Sequence, residues 1–296
     1  MTRGGEGCGS GVKRSTLEGM EHPAYSQLRP VTPNVGVVLA PNPSYAALEG
    51  TNSWIIRGPE DKVSVVVDPG PQDEGHLNVL NTKATDDGAE IALVILTHRH
   101  ADHANGAQRF RQISGAPVRA FDKQYCIAAE ELEDGEVISI PGLTPTIEVV
   151  HTPGHTSDSV SLFVHSGEEG DAAADAQLEG ILTGDTIAGR HTTMISETDG
   201  DLGDYLETLA KLQDRGVGIP LLPGHGPDQP DTAEVAARYI ERREQRLEQV
   251  KEAMRELGDD AAVMDIVDKI YTDVDPVLRD AAAQSTRVTM RFLRGD

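Results

Sequence analysis

The stretch Ile91-Ala-Leu-Val-Ile-Leu-Thr-His98-Arg-His100-Ala-Asp102-His103-Ala-Asn-Gly106 places three imidazoles and a carboxylate directly after an apolar run. Six consecutive apolar residues followed by a polar turn predict a buried β-strand over residues 91–97. Side chains in an extended segment alternate between two faces, so His98 and His100 should point the same way where this strand ends.

The residues that follow predict a helix over about 101–114. Its first turn would present Asp102 and His103 to a point close to the first two histidines. Neutral imidazoles and carboxylates are the ligands that suit zinc and related divalent ions. This single motif therefore predicts a metal site, and its donors could supply part of the ligands of two metal ions.

Two metal ions need more ligands than this motif supplies, and three further segments offer them. Each segment follows an apolar run and sits beside a glycine, where side chains of separate elements can converge. The candidates are His155 in His-Thr-Pro-Gly-His155-Thr, Asp185 in Ile-Leu-Thr-Gly-Asp185-Thr, and His225 in Leu-Leu-Pro-Gly-His225-Gly-Pro.

The His-x-His-x-Asp-His motif, with the later histidine, aspartate and final histidine in this order, resembles the metallo-β-lactamase superfamily over roughly residues 28–230. The resemblance implies a binuclear site. One metal would be held by His98, His100 and His155, the other by Asp102, His103 and His225, with Asp185 bridging them. Zinc is the default metal, although iron and manganese accept the same ligands.

The family resemblance also implies an α/β fold, a four-layer αββα sandwich. Eight segments rich in Val and Ile and bounded by Gly or Pro are strand candidates. They span residues 51–57, 62–67, 91–97, 117–121, 146–150, 160–164, 179–182 and 218–222. Residues 166–176 are acidic and rich in alanine, which predicts a solvated hairpin loop. The first 25 residues lack apolar periodicity and predict a disordered tail, followed by a catalytic domain over 26–230.

Residues 231–296 predict a small C-terminal helical domain. Asp231 and Glu234 have the spacing of a capping box, and apolar residues at helical spacing continue until Gly258. Two shorter helical patterns follow, over 263–270 and 276–292. This winged-helix-like tail, together with the metal motifs, is similar to the β-lactamase-like protein two group, and that similarity implies an endoribonuclease acting on single-stranded RNA.

The implied mechanism is metal-assisted hydrolysis by a hydroxide that bridges two metal ions. Asp102 could orient or deprotonate the attacking water while bound to metal. His191 follows Asp185 closely enough to be a candidate substrate contact, and Asp68 ends another apolar run and resembles the family's aspartate behind the metal ligands. A plain turn role remains open for Asp68.

The net charge of −23 disfavours binding of a polyanion such as RNA. The first tail helix does carry four arginines that alternate with glutamates, a spacing that favours a solvated face with i,i+4 ion pairs. These arginines are Arg238, Arg242, Arg243 and Arg246. RNA cleavage as an expectation therefore depends on the resemblance and not on charge.

Several other activities use the same ligands. A glyoxalase II type thioesterase and a lactone or ester hydrolase are the alternatives, followed by an iron-dependent sulfur dioxygenase and a nucleic-acid-binding module without catalysis. A β-lactamase of the cysteine-using class is disfavoured because Asp185 stands where such enzymes place Cys. Two cysteines and no apolar run of about 20 residues predict a cytoplasmic protein without a membrane span, and a homodimer is an open option.

Overall fold

The computed structural model of the chain describes residues 22–167, 177–258, 260–272 and 275–295. The predicted N-terminal tail, apart from its last few residues, and most of the predicted acidic hairpin loop therefore lie outside the described residues. Among the helices that are described, none is both long enough and apolar enough to cross a lipid bilayer.

Two β-sheets form the centre of the molecule. The first has six strands in chain order: β1 (Leu28–Pro30), β2 (Val35–Leu39), β3 (Asn52–Ile56), β4 (Val63–Val67), β5 (Glu90–Ile95) and β6 (Val118–Arg119). The second has the order β11-β10-β9-β8-β7 and comprises β7 (Val137–Ile138), β8 (Thr146–His151), β9 (Val160–His165), β10 (Leu178–Gly184) and β11 (Leu221–Pro223). The β4–β5, β5–β6 and β10–β11 pairs are parallel and the others antiparallel.

In the described ranges, seven α-helices flank the sheets or form the tail. They are α1 (Glu74–Ala84), α2 (Ala101–Ala104), α3 (Ala107–Ser114), α4 (Leu202–Arg215), α5 (Thr232–Leu257), α6 (Val263–Ile270) and α7 (Arg279–Arg294). Asp231 caps α5 as predicted, because its carboxylate accepts a hydrogen bond from the backbone N–H of Glu234 at 3.0 Å.

The alternation of side chains along the strands builds the core between the sheets. Trp54 and Ile56 on β3 point into this core, together with Ile147 and Val149 from β8 of the opposite sheet. Ile55, which lies between the two β3 residues, points outward and packs under α1 and α3. Central strands such as β3, β4 and β9 thus bury both faces, which explains why they are nearly continuous apolar runs.

The outer face of the second sheet is covered by α4 and the first half of α5. Phe163 on β9 and Leu221 on β11 pack there against Leu209 of α4 and against Val235 and Tyr239 of α5. The layers are therefore helix, sheet, sheet and helix, and the predicted αββα sandwich is confirmed.

The structure differs from the sequence expectations in three strands and one helix. Strand β2 (Val35–Leu39) was not predicted, nor were the short β1 and β7. The single helix predicted over 101–114 is broken into α2 and α3 at Gly106, where a Cβ atom would lie 2.8 Å from the carbonyl oxygen of Gly70. The two backbone segments approach so closely there that only glycine fits, and the helix is interrupted at this point.

The tail is helical, with α5, α6 and α7 near the predicted positions. Within its described part, 231–258, 260–272 and 275–295, there is no strand, so the likeness to a winged helix is not confirmed. The predicted boundaries at residues 25 and 230 stay a prediction.

Candidate metal centre

The predicted ligands meet at one edge of the sandwich because each follows the end of a strand. His98 comes three residues after β5, His155 four residues after β8, Asp185 directly after β10, and His225 two residues after β11. Asp102 and His103 lie on α2, the short helix that follows β5. The carboxyl ends of β5, β10 and β11 thus bring distant parts of the chain to one point.

Three imidazole nitrogens converge in the first cluster. Nδ1 of His100 lies 3.1 Å from Nε2 of His98 and 3.0 Å from Nε2 of His155. The Oδ2 atom of Asp185 is 3.9 Å from Nε2 of His98 and 3.8 Å from Nε2 of His155. These four side chains can present one ligand atom each to a common position.

The second cluster lies on the other side of Asp185. Nε2 of His103 and Nε2 of His225 are 3.2 Å apart, and Oδ2 of Asp102 lies 3.1 Å from Nε2 of His225. The Oδ1 atom of Asp185 is 3.3 Å from both of these imidazole nitrogens. One carboxylate oxygen of Asp185 therefore faces each cluster, which is the geometry of a bridging ligand.

The donor set fits divalent metal ions. Ligand atoms at about 2.0–2.1 Å around a tetrahedral ion are separated by about 3.3 Å, close to the spacings found here. The Oδ1 atom of Asp185 is buried, and no hydrogen-bond donor reaches it in the described part of the chain. A buried carboxylate oxygen without a donor is costly unless a cation satisfies it.

The other ring nitrogen of four histidines is held by an oxygen atom, which fixes the ring orientation. Nδ1 of His103 lies 2.8 Å from Oδ2 of Asp68, and Nδ1 of His155 lies 2.6 Å from the carbonyl oxygen of Met194. The remaining two contacts join His225 to the Gly50 carbonyl oxygen at 3.1 Å and His98 to Thr97 Oγ1 at 3.1 Å. In each ring Nε2 is the nitrogen that faces the cluster.

Asp68 is more than a turn residue. Its carboxylate accepts hydrogen bonds from the backbone N–H of Thr97 at 2.8 Å and from the Thr97 hydroxyl at 2.6 Å, besides contacting His103. It is 1% exposed and adopts a left-handed backbone conformation, with φ of 51°. Asp68 therefore connects the ends of β4 and β5 to a predicted metal ligand.

The electrostatics of the two clusters differ. Burial lowers the pKa of His155 to about 4 and holds the pKa of His98 well below its usual range, so both are neutral at pH 7 and can bind metal. Burial also acts on His225, but Asp185 and Asp102 outweigh it and raise its pKa to about 9. Burial would raise the pKa of Asp185, yet the neighbouring His225 and His103 hold it well below its usual range.

Glycine is required at the centre of the site. A Cβ atom at Gly224 would lie 2.7 Å from Oδ1 of Asp185 and 2.7 Å from Cε1 of His103. The Pro-Gly-His sequence contained this signal, since a glycine directly before a ligand indicates close approach of the backbone. The Met194 and Gly50 carbonyls carry no signal in the sequence, because any residue type supplies a carbonyl oxygen.

His191, the candidate substrate contact, and His151 lie outside the two clusters. The His191 ring stacks on the exposed Tyr45 ring with centroids 6.0 Å apart, and both rings line a cavity of about 400 Å³. The same cavity is lined by Met194, whose carbonyl oxygen holds His155. His151 instead stacks on Phe121 and does not reach the ligands.

A family model described as the Metallo-beta-lactamase superfamily matches residues 46–168. The chain contains a metallo-β-lactamase domain. The match includes the His-x-His-x-Asp-His motif and His155, whereas Asp185 and His225 follow it in sequence and reach the metallo-β-lactamase site through β10 and β11.

Curated relatives of this metallo-β-lactamase-domain chain cover most of its length. The Beta-lactamase-like protein 2 homolog of Caenorhabditis elegans is 26% identical over 267 residues, which is 88% of this chain and 83% of that protein. The Atrochrysone carboxyl ACP thioesterase of Aspergillus fumigatus is 29% identical over 240 residues, or 79% of this chain and 69% of that protein.

Solved structures show the same fold. A Beta-lactamase domain protein from Burkholderia ambifaria superposes with a TM-score of 0.73 at 20% identity, covering 95% of this chain and 91% of the other. A metallo-beta-lactamase family protein from Thermus thermophilus gives a TM-score of 0.68 at 17% identity and covers 89% of this chain and 94% of the other. These likenesses show the fold, and on it the predicted ligands form a candidate metal site.

Proposed function

We propose that the chain is a binuclear metallohydrolase that cleaves a thioester or ester bond in a small substrate. The observation that carries this proposal is the pair of ligand clusters on either side of Asp185, one carboxylate oxygen facing each. His98, His100 and His155 would hold one ion, Asp102, His103 and His225 the other.

Two divalent ions in these positions, with zinc as the first choice, would lower the pKa of a water held between them and polarise the scissile group. Asp102 would accept the proton of the attacking water, because its side chain is 35% exposed and faces the open side of the cluster. Burial would raise the pKa of Asp102, but its hydrogen bond to His225 lowers it, which keeps the carboxylate ionised at neutral pH.

The cavity beside the site favours a small substrate. Its volume of about 400 Å³ is in the range of pockets that hold small molecules. Thioester hydrolysis is also the activity named for the Aspergillus fumigatus relative. The net charge of −23 acts against a long polyanion.

Cleavage of single-stranded RNA is the second candidate. The observation that favours it is the Tyr45 ring, 66% exposed and stacked on His191 at the mouth of the cavity. Exposed aromatic rings beside arginines are the usual platform for unpaired bases.

One experiment compares the two activities. The zinc-loaded full chain is offered an acyl thioester of N-acetylcysteamine, with thiol release as the readout, and in parallel an end-labelled single-stranded RNA at low salt. We expect thiol release that is lost after chelator treatment and in Asp102→Ala. RNA cleavage with the same two sensitivities, without thiol release, would replace the proposed substrate class by the second candidate.

A further inference from the structure

The cavity beside the metal centre is positively charged although the chain as a whole is strongly acidic. It lies between the loop after Asp185 and helices α5 and α7, with Tyr271 at the end of α6. Three arginines of α5 line it, Arg242, Arg243 and Arg246, and no Asp or Glu of the described residues does. Since the chain has 49 acidic and only 26 basic residues, this lining is the reverse of the average surface.

The three arginines do not form the i,i+4 ion pairs that their spacing predicted, and that expectation was wrong for them. In the described ranges, no carboxylate lies within ion-pairing distance of any of the three. Arg243 instead donates to the Thr193 carbonyl oxygen and lies over the Tyr205 ring, and Arg246 lies 4.1 Å from the centroid of the Tyr271 ring. Their charges therefore face the cavity uncompensated.

The positive charge of the lining also acts on His191. Its pKa is lowered first by burial and then by Arg190 and Arg242. An anion in the cavity would offset the repulsion between these like charges.

The other half of the lining is apolar. Ile195, Leu202, Leu278 and Val288 contribute to it. Met194 joins this cavity to the metal centre, because it lines the cavity and its carbonyl oxygen contacts Nδ1 of His155 at 2.6 Å. The cavity therefore adjoins the metal centre through Met194, and its arginines lie on α5.

We propose that the arginine cavity binds a carboxylate or phosphate group of the substrate, so that the natural substrate is an amphiphilic acyl compound with a second, anionic group. This proposal rests on the proposed hydrolase function. Arg242 and Arg246 supply charge and hydrogen bonds to the anion, Arg243 holds the loop at Thr193, and the apolar wall receives the hydrocarbon part. The anionic group is fixed at one end and the acyl bond is placed at the other.

The test uses the zinc-loaded full chain and two matched esters, the neutral 4-nitrophenyl acetate and the anionic mono-4-nitrophenyl succinate. Wild type is compared with the double variant Arg242→Gln/Arg246→Gln and with Arg238→Gln. Arg238 is an exposed arginine of the same helix that does not line the cavity. The double variant should lose roughly ten- to a hundredfold in kcat/KM for the succinate ester. Its rate with the acetate ester, and both rates of Arg238→Gln, should stay at the wild-type value.

A binding measurement separates this proposal from the hydrolase proposal. Calorimetric titration with sodium succinate and, separately, with inorganic phosphate should show a loss of affinity in the double variant but not in Arg238→Gln, and the tighter of the two anions identifies the head group. If wild type hydrolyses neither ester, the hydrolase proposal fails while this titration still decides the cavity. Equal affinities of all three proteins for both anions would overturn the cavity proposal.

Discussion

At the scale of single residues, the seven metal ligands are the part of the candidate site that could be predicted from the sequence. Few purely structural roles call for histidine and aspartate together at these spacings. The structure brings all seven predicted ligands together. The oxygens that hold their rings could not be predicted in the same way. The carbonyls of Met194 and Gly50 carry no signature in the side-chain sequence.

Asp102→Ala should abolish turnover and leave the fold intact. The side chain lies at the open edge of the cluster with 35% exposure, so its removal leaves no cavity in the core. We expect kcat to fall by roughly 10²–10⁴-fold or more, as for loss of a general base. Thiol release and far-UV circular dichroism measure the two effects, and full activity in this variant would remove Asp102 from the mechanism.

Asp68→Asn should weaken metal binding without unfolding the protein. Asparagine tolerates the left-handed backbone at this position but cannot accept from Thr97 and His103 as an anion does. Loss of such a contact typically lowers metal affinity by roughly 10–100-fold. Zinc titration measures the change. Asp201→Asn, at the N-cap of α4, is the control and should bind zinc as wild type does.

At the scale of elements, strands were predicted where Val and Ile runs are bounded by glycine or proline, and most were found there. β2 was missed because Gly36 interrupts its apolar run, which weakens the pattern of a strand. Its position depends on pairing with β1 and β3, which are separate segments of the chain. Pairing between segments is information that a local pattern does not contain.

The turn after β11 should not tolerate a side chain. Gly224→Ala would place a methyl group 2.7 Å from both Asp185 Oδ1 and His103 Cε1, so one ligand of the second cluster must move. We expect zinc stoichiometry to fall below that of wild type, with activity lost in parallel. Gly75→Ala, on the exposed first turn of α1, is the comparison and should leave both unchanged. Wild-type zinc content in Gly224→Ala would mean that the backbone yields at this point.

Helix α5 fixes the loop that supports His155. The Tyr239 hydroxyl accepts from the N–H of Ala188 at 3.1 Å and donates to the carbonyl oxygen of His191. Tyr239→Phe leaves these groups without a partner and should lower the free energy of unfolding by about 1–3 kcal/mol. Urea denaturation measures this. Tyr45→Phe, at an exposed ring, should change it by less than about 0.5 kcal/mol, and an equal effect of both would contradict the contact.

At the scale of the whole molecule, the four layers followed from a family resemblance. The close succession of the last metal-ligand turn and the tail predicted that the tail packs over the site, and the contacting residues came from the structure. α5 completes the outer layer of the second sheet with its first half and presents arginines to the cavity from its middle. Gln284 and Arg291 of α7 bind the carbonyl oxygens of Ile195 and Gly200 in the same loop region. The tail therefore packs against the loop that follows Asp185 and forms one side of the cavity.

The net charge of −23 belongs to this scale as well. Under the proposed function, an acidic surface with a local cationic cavity would disfavour long polyanions and still admit small anions, since exposed charges farther apart than about 10 Å are largely screened at moderate ionic strength. Global and local charge would then favour the same class of substrate.

Titration of the chelator-treated full chain with Zn²⁺, followed by calorimetry, tests the central claim most directly. Two ions per chain are expected, and Asp185→Asn should weaken both, because one oxygen of this carboxylate faces each cluster. One ion or none per wild-type chain, or an Asp185→Asn variant that binds two ions as tightly as wild type, would contradict the binuclear site.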